Sequence, residues 1–569
     1  MTEKELFPYV IDEHFKTKVA YFSMEFAIDQ ALKTYSGGLG FLAGSHMRSV
    51  NDKRQHTIGV GILWSFGYYD QSRYEDNTLK VEFRRKFYYF LRETGIIVEV
   101  MINGKPVQVK AYLLPANVFD SAPVILLTTD IFENDHLSRT ITHKLYDPNE
   151  ETRIAQEIVL GIGGVKVLEA MGLDIDIYHM NEGHALPLVF ELMKRYPNLE
   201  DLKKHVVFTT HTPEMAGNEV HNVHFLGRMN FFNGFSVEEV QDKLDYYDEN
   251  FSLTVGALKT SKRANAVSKI HEKVANEMWK DVPGRCEIIS ITNAQNMRYW
   301  ADKQLLSWML EHEDYQLTGR KKHLKHILFE EVADQTGKLF DPDVLTLVWA
   351  RRFAEYKRPW LLVYDMERFR ALVNNTDRPI QIIWAGKPFP TDYRAISMFN
   401  ELVMISKEFR NVAVLTGYEL RLSKLLKQGS DVWLNTPRWG REASGTSGMS
   451  AGINASVHFS IADGWHAEFQ RDGINSFTIP HADPSLPVEE QDRHDYLAMM
   501  DKLENVILPT YYEDQPKWLD IVKNGMNDIQ AYFTSSRMVV EYYEKLYNFK
   551  PYEAKRLSDR LLKDHPPLT

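Results

Sequence analysis

The sequence predicts an α/β protein made of two doubly wound domains that face one another across a cleft. Three observations lead to this prediction: the chain length, a repeated order of strand, polar turn and helix, and the position of the polar turns. With 569 residues, the chain is too long for one ordinary hydrophobic core. The repeated order is typical of parallel sheets, in which the turns at the carboxyl ends of the strands bind ligands.

The composition favours a globular protein and argues against several classes of partner. Hydrophobic residues make up 44% of the chain and charged residues 25%, which are ordinary values for a globular protein. A net charge of −11 argues against a nucleic-acid partner. The single cysteine, Cys286, excludes a disulfide framework and a cysteine-rich metal site, so no metal is expected. The sequence shows no signal-peptide pattern and no membrane-length apolar run, so we expect a cytoplasmic protein without a membrane partner.

The first strand and its glycine-rich turn predict an anion site. Residues 18–28 have the pattern of a buried strand with Glu25 near its end, and Gly37, Gly38 and Gly40 follow before a helical run. A turn of this kind exposes backbone N–H groups to a phosphate. Farther along, Asn103-Gly104 between alternating apolar segments predicts a β-hairpin inserted into the first domain.

Two more strand-and-turn units follow in the first half, and a third strand–helix unit spans residues 259–279. Residues 175–185 end in a turn with Glu182 and His184, and residues 206–219 end in a turn with His211. Residues 151–171 predict one long helix. Proline and glycine at residues 281–286 indicate a break between regular elements. We therefore predict three parts: an N-terminal Rossmann-like domain of residues 1–290, a C-terminal Rossmann-like domain of residues 291–535, and terminal helices of residues 536–569 that pack back on the first domain.

The second half carries a basic turn and a turn of small residues. Residues 344–366 indicate a strand, a basic turn with Arg352 and Lys357, and a helix. Such cations suit a phosphate. Residues 441–450, REASGTSGMS, place the carboxylate Glu442 before a turn of small residues at a helix start. A carboxylate beside an anion site predicts a ligand that carries both hydroxyl groups and a phosphate.

Five motifs together resemble one enzyme family. The segments YSGGLGFLAG, YHMNEGHA, FTTHTP, ARRFAEYKRP and DVWLNTPRWGREASGTSGM resemble α-glucan phosphorylases, glycogen and maltodextrin phosphorylases in their short bacterial form, over residues 18–470. The resemblance implies the GT-B fold of two Rossmann-like domains and retaining transfer of a glucosyl unit between α-1,4-glucan ends and phosphate. It also implies pyridoxal phosphate, which acts through its 5′-phosphate, and a possible homodimer.

The resemblance assigns roles position by position. The implied catalytic residues are His211, Arg352, Lys357 and Glu442, and the implied sugar-binding residues are Asn265, Ser444 and Gly445. The implied phosphate-binding residues are Gly37, Gly38, Gly40, Thr446 and Ser447. Glu182 and His184 lie in a family motif but are equally consistent with a structural role.

The sequence departs from the family around the cofactor. Ser450 stands where the family has its pyridoxal lysine, and serine cannot form a Schiff base. Alanine replaces family glycines at Ala266, Ala294 and Ala455, and Ser45 precedes His46 where the family has an acidic residue. We therefore expect no covalently bound cofactor, and Ser450 argues against pyridoxal phosphate.

Three functions remain open at this point. The first is a glucosyltransferase that works without pyridoxal phosphate and takes its sugar from a nucleotide-sugar, as the similarly folded glycogen synthases do. The second is an α-glucan phosphorylase that forms glucose 1-phosphate, with pyridoxal phosphate held noncovalently or absent. The third is a glucan-binding protein without catalysis, which the phosphate-binding residues argue against. An α-glucan or maltooligosaccharide is the expected partner in all three.

Overall fold

The computed structural model describes residues 3–549 and arranges their β-strands in two large sheets and two small ones. In chain order the strands are β1 (Val19–Phe22), β2 (Thr57–Ile62), β3 (Asp70–Arg73), β4 (Leu79–Glu82), β5 (Arg92–Ile102), β6 (Lys105–Leu114), β7 (Val124–Thr128), β8 (Ile177–Asn181), β9 (Val206–Thr209), β10 (Val220–Asn222), β11 (Asn250–Ser252), β12 (Arg263–Ala266), β13 (Glu287–Ser290), β14 (Leu345–Ala350), β15 (Ile380–Ala385), β16 (Val412–Leu415), β17 (Val432–Asn435), β18 (Val457–Ile461) and β19 (Phe477–Ile479).

Helices surround the sheets. Those of eight or more residues are Gly38–Asp52, Glu150–Ile158, Leu188–Arg195, Val237–Leu244, Leu253–Thr260, Lys269–Met278, Lys303–Leu310, Asp314–Thr336, Met366–Val373, Tyr393–Ser406, Leu420–Gly429, Val488–Lys502 and Gln515–Tyr532. Shorter α-helices are Glu3–Leu6, His136–Thr140, Gly164–Ala170, Leu199–Lys203, Val223–Arg228, Met297–Trp300, Ser447–Gly452, His466–Phe469, Leu508–Glu513 and Ser535–Glu541. None of the helices within residues 3–549 combines the length and the apolar character that crossing a membrane requires.

The first sheet has the order β13-β12-β9-β8-β1-β2-β7-β6-β5. Its strands are parallel from β13 to β7, and β6 and β5 are antiparallel additions. The hairpin predicted at Asn103-Gly104 joins β5 to β6. Asn103 and Gly104 have φ values of 49° and 71°, the left-handed conformations that a two-residue hairpin turn requires.

The second sheet is parallel throughout and has the order β16-β15-β14-β17-β18-β19. This is the doubly wound order of a Rossmann-like fold, which reverses between β14 and β17. The first sheet reverses in the same way between β1 and β8. Parallel sheets bind ligands where the order reverses, because the turns there diverge and leave a crevice. The predicted α/β class and the two facing Rossmann-like sheets are confirmed.

Two local features differ from simple expectation. The helix predicted at 151–171 is interrupted by a π-helical turn, Val159–Gly163. Gly161 of that turn approaches the backbone of Leu188 so closely that a Cβ would lie 2.5 Å from its nitrogen. After β14, the chain forms single 3₁₀ turns, Glu355–Lys357 and Leu361–Val363, before an α-helix begins at Met366.

The end of the chain returns to the first sheet. Within helix Ser535–Glu541, the Ser535 hydroxyl lies 2.5 Å from the Ser49 hydroxyl, and Val539 O accepts a hydrogen bond from Gln55. Tyr543 and Tyr547 pack in the core cluster beside β1. Residues 550–569 of the predicted terminal helices lie outside the described residues. The limits at 290 and 535 stay predictions; β13 ends at Ser290.

Candidate active site

A cleft of about 500 Å³ opens where the two sheets reverse their order. Turns from both halves of the chain line it. The sequence-predicted site residues that line it are Gly37, Gly38, Glu182, His184, His211, Arg352, Lys357, Glu442, Ser444, Gly445, Thr446 and Ser447. Gly40, Asn265 and Ser450 do not line it.

Glu442 is the centre of a buried charge cluster. Its Oε2 accepts hydrogen bonds from Lys357 Nζ at 2.5 Å and from Arg351 at 3.1 Å. Burial disfavours the carboxylate, but the positive charges of Lys357 and Arg351 outweigh burial and lower the pKa of Glu442. Glu442 is therefore ionised at neutral pH. It can accept hydrogen bonds from hydroxyl groups but cannot donate a proton.

Arg352 is the unpaired cation of the site. Its guanidinium is open to the cleft, and no carboxylate of residues 3–549 forms an ion pair with it. Arg351, in contrast, is buried and also donates to the Ser447 hydroxyl at 3.2 Å. Arg352 and Lys357 were predicted from the sequence but Arg351 was not, because adjacent arginines give no signal of which one turns inward.

Glu25 organises the glycine-rich turn. Its Oε2 accepts the backbone N–H groups of Ser36 at 2.6 Å and Gly37 at 3.1 Å, and its Oε1 accepts the Tyr146 hydroxyl at 2.6 Å. The N–H of Gly37 is thus already used, so the first-turn N–H groups of Gly38 and Leu39 are the ones left for an anion. Gly37 was predicted to bind phosphate, but its N–H is already bonded to Glu25.

Gly40 also differs from expectation. It lies in the first turn of helix Gly38–Asp52, and a Cβ there would lie 2.6 Å from Tyr35 Cβ and 2.8 Å from Glu25 Oε2. Position 40 requires a glycine because the helix packs closely against the Glu25 carboxylate. A phosphate contact does not explain it, because Gly40 does not reach the cleft.

His211 is held in one orientation by two neighbours. Its backbone N–H donates to Glu182 Oε1 at 2.6 Å, and its Nε2 lies 2.7 Å from Asn181 Oδ1. An amide oxygen only accepts hydrogen bonds, so Nε2 carries the proton. Burial lowers the pKa of His211 to about 3, so the imidazole is neutral.

Glu182 acts as the support for His211. It has a left-handed backbone conformation, with φ 73°, and its Oε1 also accepts the Thr212 hydroxyl at 2.9 Å. Burial raises the pKa of Glu182. Glu182 therefore has a strained backbone and a buried carboxyl that holds the turn after β9. These features favour the structural role over the functional one, which the sequence had left equally consistent with the motif.

Asn265 lies away from the cleft, contrary to the expected sugar contact. It is fully buried, where it accepts the Thr209 hydroxyl at 2.6 Å and donates to the Ala266 carbonyl. Asn293 occupies the cleft instead. It is buried, lines the cleft, and its Oδ1 has no hydrogen-bond partner among the described residues. Its position before Ala294, a departure noticed in the sequence, was the signal that could have identified it.

Several buried polar atoms at the cleft lack partners within residues 3–549. These atoms are Asn293 Oδ1, Ser444 Oγ, His184 Nδ1 and Arg351 Nε. Each belongs to a residue that lines the cleft. Buried polar groups are normally hydrogen-bonded, so these unpaired donors and acceptors fit a ligand with several hydroxyl groups.

Asp463 is a second residue that the sequence analysis missed. Its Oδ2 accepts the backbone N–H of Glu442 at 3.0 Å, and its Oδ1 accepts that of Gly464. Burial raises the pKa of Asp463 to about 6. The residue positions the Glu442 turn and has no contact with the open cleft.

The Asp463 carboxyl gives a testable pH dependence. Between pH 4 and 6 the folded protein binds a proton at Asp463 that the unfolded chain, with a pKa of 3.8, has lost. The free energy of unfolding therefore falls as pH rises through this window, by up to about 3 kcal/mol. We expect Asp463→Asn to remove this part of the slope, measured as urea denaturation at several pH values. An unchanged slope in the variant would contradict the assignment.

The residues at the cofactor position fit pyridoxal phosphate only in part. Arg351, Ser447 and the first-turn N–H groups of helix Gly38–Asp52 are suitable for its phosphate. Ser450 is unsuitable for the covalent bond: it is fully buried, and its hydroxyl donates to the Ser447 carbonyl at 3.2 Å. Nearby, Ser45 bonds Gln295 and the Trp300 indole instead of presenting a carboxylate. Among residues 3–549 there is also no group of side chains that could hold a metal ion.

The fold and the cleft define a two-domain α/β protein with groups for an anion and a polyhydroxy ligand side by side. A family model described as carbohydrate phosphorylase matches residues 291–479. The chain is 50% identical to an uncharacterized protein of Methanocaldococcus jannaschii, over 93% of this chain and 99% of that protein. It is 31% identical to the maltodextrin phosphorylase of Thermococcus litoralis, over 93% of this chain and 70% of that enzyme. It is 30% identical to the glycogen phosphorylase of Aquifex aeolicus, over 94% of this chain and 87% of that enzyme.

These similarities extend over most of the chain and include relatives named as glucan phosphorylases. The chain belongs to the carbohydrate phosphorylase family. The family resemblance of the five sequence motifs is thereby confirmed. Phosphorylases of this family normally use pyridoxal phosphate.

Proposed function

We propose that this protein is a retaining glucosyltransferase of the phosphorylase type. It exchanges the terminal glucosyl unit of an α-1,4-glucan with phosphate and so forms glucose 1-phosphate. The observation that carries this proposal is the charge of the cleft beside Glu442. Arg351 and Lys357 both pair with the ionised carboxylate of Glu442, and Arg352 lines the same cleft without a carboxylate partner among residues 3–549.

Three cations close to one another in the chain suit a phosphate anion. Arg352 can bind it without breaking an existing ion pair, whereas Arg351 and Lys357 are already ordered by Glu442. Preordered cations stabilise negative charge that builds on phosphate as the glycosidic bond breaks, because they need not reorganise. A protein that only bound glucan would not need these three cations.

The remaining groups suit the sugar. Glu442, Asn293 and Ser444 offer acceptors and donors for hydroxyl groups, and neutral His211 can offer hydrogen bonds without adding charge. Neither His211 nor ionised Glu442 is in the right state to protonate a leaving oxygen. The phosphate is then the group that carries the proton to the departing glucan, on the same face of the sugar, which suits retention.

A nucleotide-sugar donor, the first choice from the sequence, is the second candidate. The observation in its favour is Ser450, since the distal phosphate of such a donor could occupy the anion site of an absent cofactor. The named phosphorylase relatives favour inorganic phosphate instead. An assay with maltooligosaccharide separates the candidates: glucose 1-phosphate forms only with added phosphate in the first, and chain extension occurs only with a nucleotide-sugar in the second.

Arg352→Ala tests the phosphate site directly. We expect KM for phosphate to rise by about 10- to 100-fold, the effect of losing a charge-assisted hydrogen bond of about 1.5–3 kcal/mol. Arg394→Ala is the matched control, because Arg394 is an exposed arginine whose one ion pair within the described part of the chain is with Glu355, at 3.3 Å. Initial rates of glucose 1-phosphate formation against phosphate concentration measure the effect. Equal KM values in the two variants would remove Arg352 from the phosphate site.

A further inference from the structure

The hairpin of β3 and β4 reaches from the first half of the chain onto the second sheet. The Arg73 guanidinium donates to the carbonyl of Val414 in β16. Leu79 packs in the core cluster of the second sheet, and its N–H donates to Asn400 Oδ1 at 2.9 Å. Among the strands of residues 3–549, β3 and β4 pair only with each other. The hairpin, residues 70–82, is therefore an arm that clasps the second sheet.

Gln71 of this arm bonds three backbone groups of the second half. Its Nε2 donates to Gly386 O at 2.8 Å, and its Oε1 accepts the N–H groups of Gly417 at 3.0 Å and Tyr418 at 3.1 Å. An amide nitrogen only donates and an amide oxygen only accepts, so the three partners define one orientation of the side chain. Gly386 follows β15, and the other two residues follow β16. One side chain thus joins the turns after two neighbouring strands.

Both turns contact the backbone at Arg351. Gly386 lies so close to it that a Cβ at position 386 would be 1.9 Å from the Arg351 carbonyl oxygen. The Arg351 N–H donates to the last residue of β15, and the Tyr418 hydroxyl donates to Ala350 O at 3.2 Å. The two turns that the arm joins therefore fix the backbone from which the Arg351 side chain reaches Glu442.

Gln71 itself does not line the cleft, whereas Arg351 and Tyr418 do. Its effect on a ligand must therefore pass through the residues that it holds. Small displacements of a charged group that binds a reacting phosphate are costly, because the group then has to reorganise before it can stabilise the charge.

We infer that Gln71 is a positioning residue for the phosphate site: it acts through the turns after β15 and β16 and holds Arg351 in place. Because the arm comes from the first half of the chain, it also couples the order of the phosphate site to the contact between the two halves. The inference rests on the proposed phosphorylase-type function for the role of Arg351, but the positioning itself can be measured without activity.

Hydrogen exchange of the whole protein, followed by mass spectrometry, tests the positioning. The N–H groups of Arg351 and Phe353 donate to the end of β15 and to the turn after it. In Gln71→Met these two amides should exchange about tenfold faster than in the wild type, because the turn that accepts their hydrogen bonds loses its support.

Gln335→Met is the matched control. Gln335 bonds both backbone groups of Thr416, in the turn after β16, but from helix Asp314–Thr336 of the second half. The control therefore removes an amide side chain from the same turn without loosening the arm. It should speed exchange at Thr416 and leave the amides of Arg351 and Phe353 unchanged.

The second measurement is KM for phosphate in the formation of glucose 1-phosphate. Gln71→Met should raise it by about tenfold, the effect of a misplaced binding group, while KM for maltooligosaccharide stays within about threefold of the wild type. A residue that only stabilised the fold would lower the active fraction, and hence kcat, with both KM values unchanged.

The outcomes separate this inference from the proposed function. Unchanged exchange at Arg351 and Phe353 in Gln71→Met, or the same increase in Gln335→Met, overturns the inference. An unchanged KM for phosphate in an active Gln71→Met overturns it as well. If the wild type forms no glucose 1-phosphate from phosphate, the proposed function fails, and hydrogen exchange alone decides the positioning.

Gln71→Glu decides the question if the methionine variant does not fold. Glutamate keeps an acceptor for the N–H groups of Gly417 and Tyr418 but loses the donor to Gly386 O. Exchange should then rise at Arg351 and not at Tyr418. A rise at neither amide would contradict the role given to Gln71.

Discussion

Glu442→Gln is expected to lower kcat for glucosyl transfer by about 10²–10³-fold, the usual effect of removing one preorganised polar group from an active site. The glutamine keeps the shape and one acceptor oxygen but removes the charge that orders Lys357 and Arg351. Because Lys357 and Arg351 then lose the charge of their carboxylate partner, the site becomes more positive and KM for phosphate should fall or stay unchanged. A loss in kcat together with tighter phosphate binding separates this result from general damage.

The measurement is the steady-state rate with maltooligosaccharide and phosphate, each varied in turn. Glu355→Gln is the matched control, because Glu355 is exposed in the turn that contains Lys357 and, among residues 3–549, pairs only with Arg394. Thermal unfolding of both variants checks that they are folded. A kcat within fivefold of the wild type for Glu442→Gln would show that the charge cluster has no part in the transfer.

Arg358→Met is expected to lower the free energy of unfolding by about 3–5 kcal/mol, the cost of leaving a buried charge network without its centre. Arg358 is fully buried and has a left-handed backbone, with φ 49°. Its guanidinium donates to Asp492 and Asp495, and also to the carbonyls of Thr436 and Pro437. Methionine leaves two buried carboxylates and two carbonyls with fewer partners.

Urea denaturation measures this effect. Arg368→Met is the control, because Arg368 pairs with Glu504 at the partly exposed surface, where an ion pair contributes about 0–1 kcal/mol. Equal losses in the two variants would contradict the role given to Arg358. Arg358 joins the turn after β14 to the turn after β17, so its loss should also disorder Lys357 and Glu442 and lower activity in the folded fraction.

Most of the fold was predictable from local patterns. Strand, polar turn and helix recur often enough to indicate two parallel sheets, and Asn103-Gly104 indicates its hairpin because few other residue pairs tolerate two left-handed conformations. The π-helical turn at Val159–Gly163 was not predictable, since it depends on how closely Gly161 approaches Leu188, far along the chain.

The sequence predicted which segments form the candidate site better than it predicted which side chains face the cleft. Arg352, Lys357, Glu442 and His211 do meet at one cleft, as their positions after strands predicted. Their individual roles stay proposals. Asn265 does not make the predicted sugar contact, because it lies within β12 and its side chain packs against Thr209, whereas Asn293 follows β13 and lines the cleft.

The sequence by itself determined the fold class, the family and the segments that form the cleft, because backbone periodicity, turn chemistry and motif order are local properties. It also determined that residue 450 is a serine. Only the tertiary structure decided which polar groups are free for a ligand. Glu25 uses the Gly37 amide, and Glu442 pairs with Arg351 and Lys357. These pairings join residues far apart in the chain, and burial sets their charge states, which no local pattern encodes.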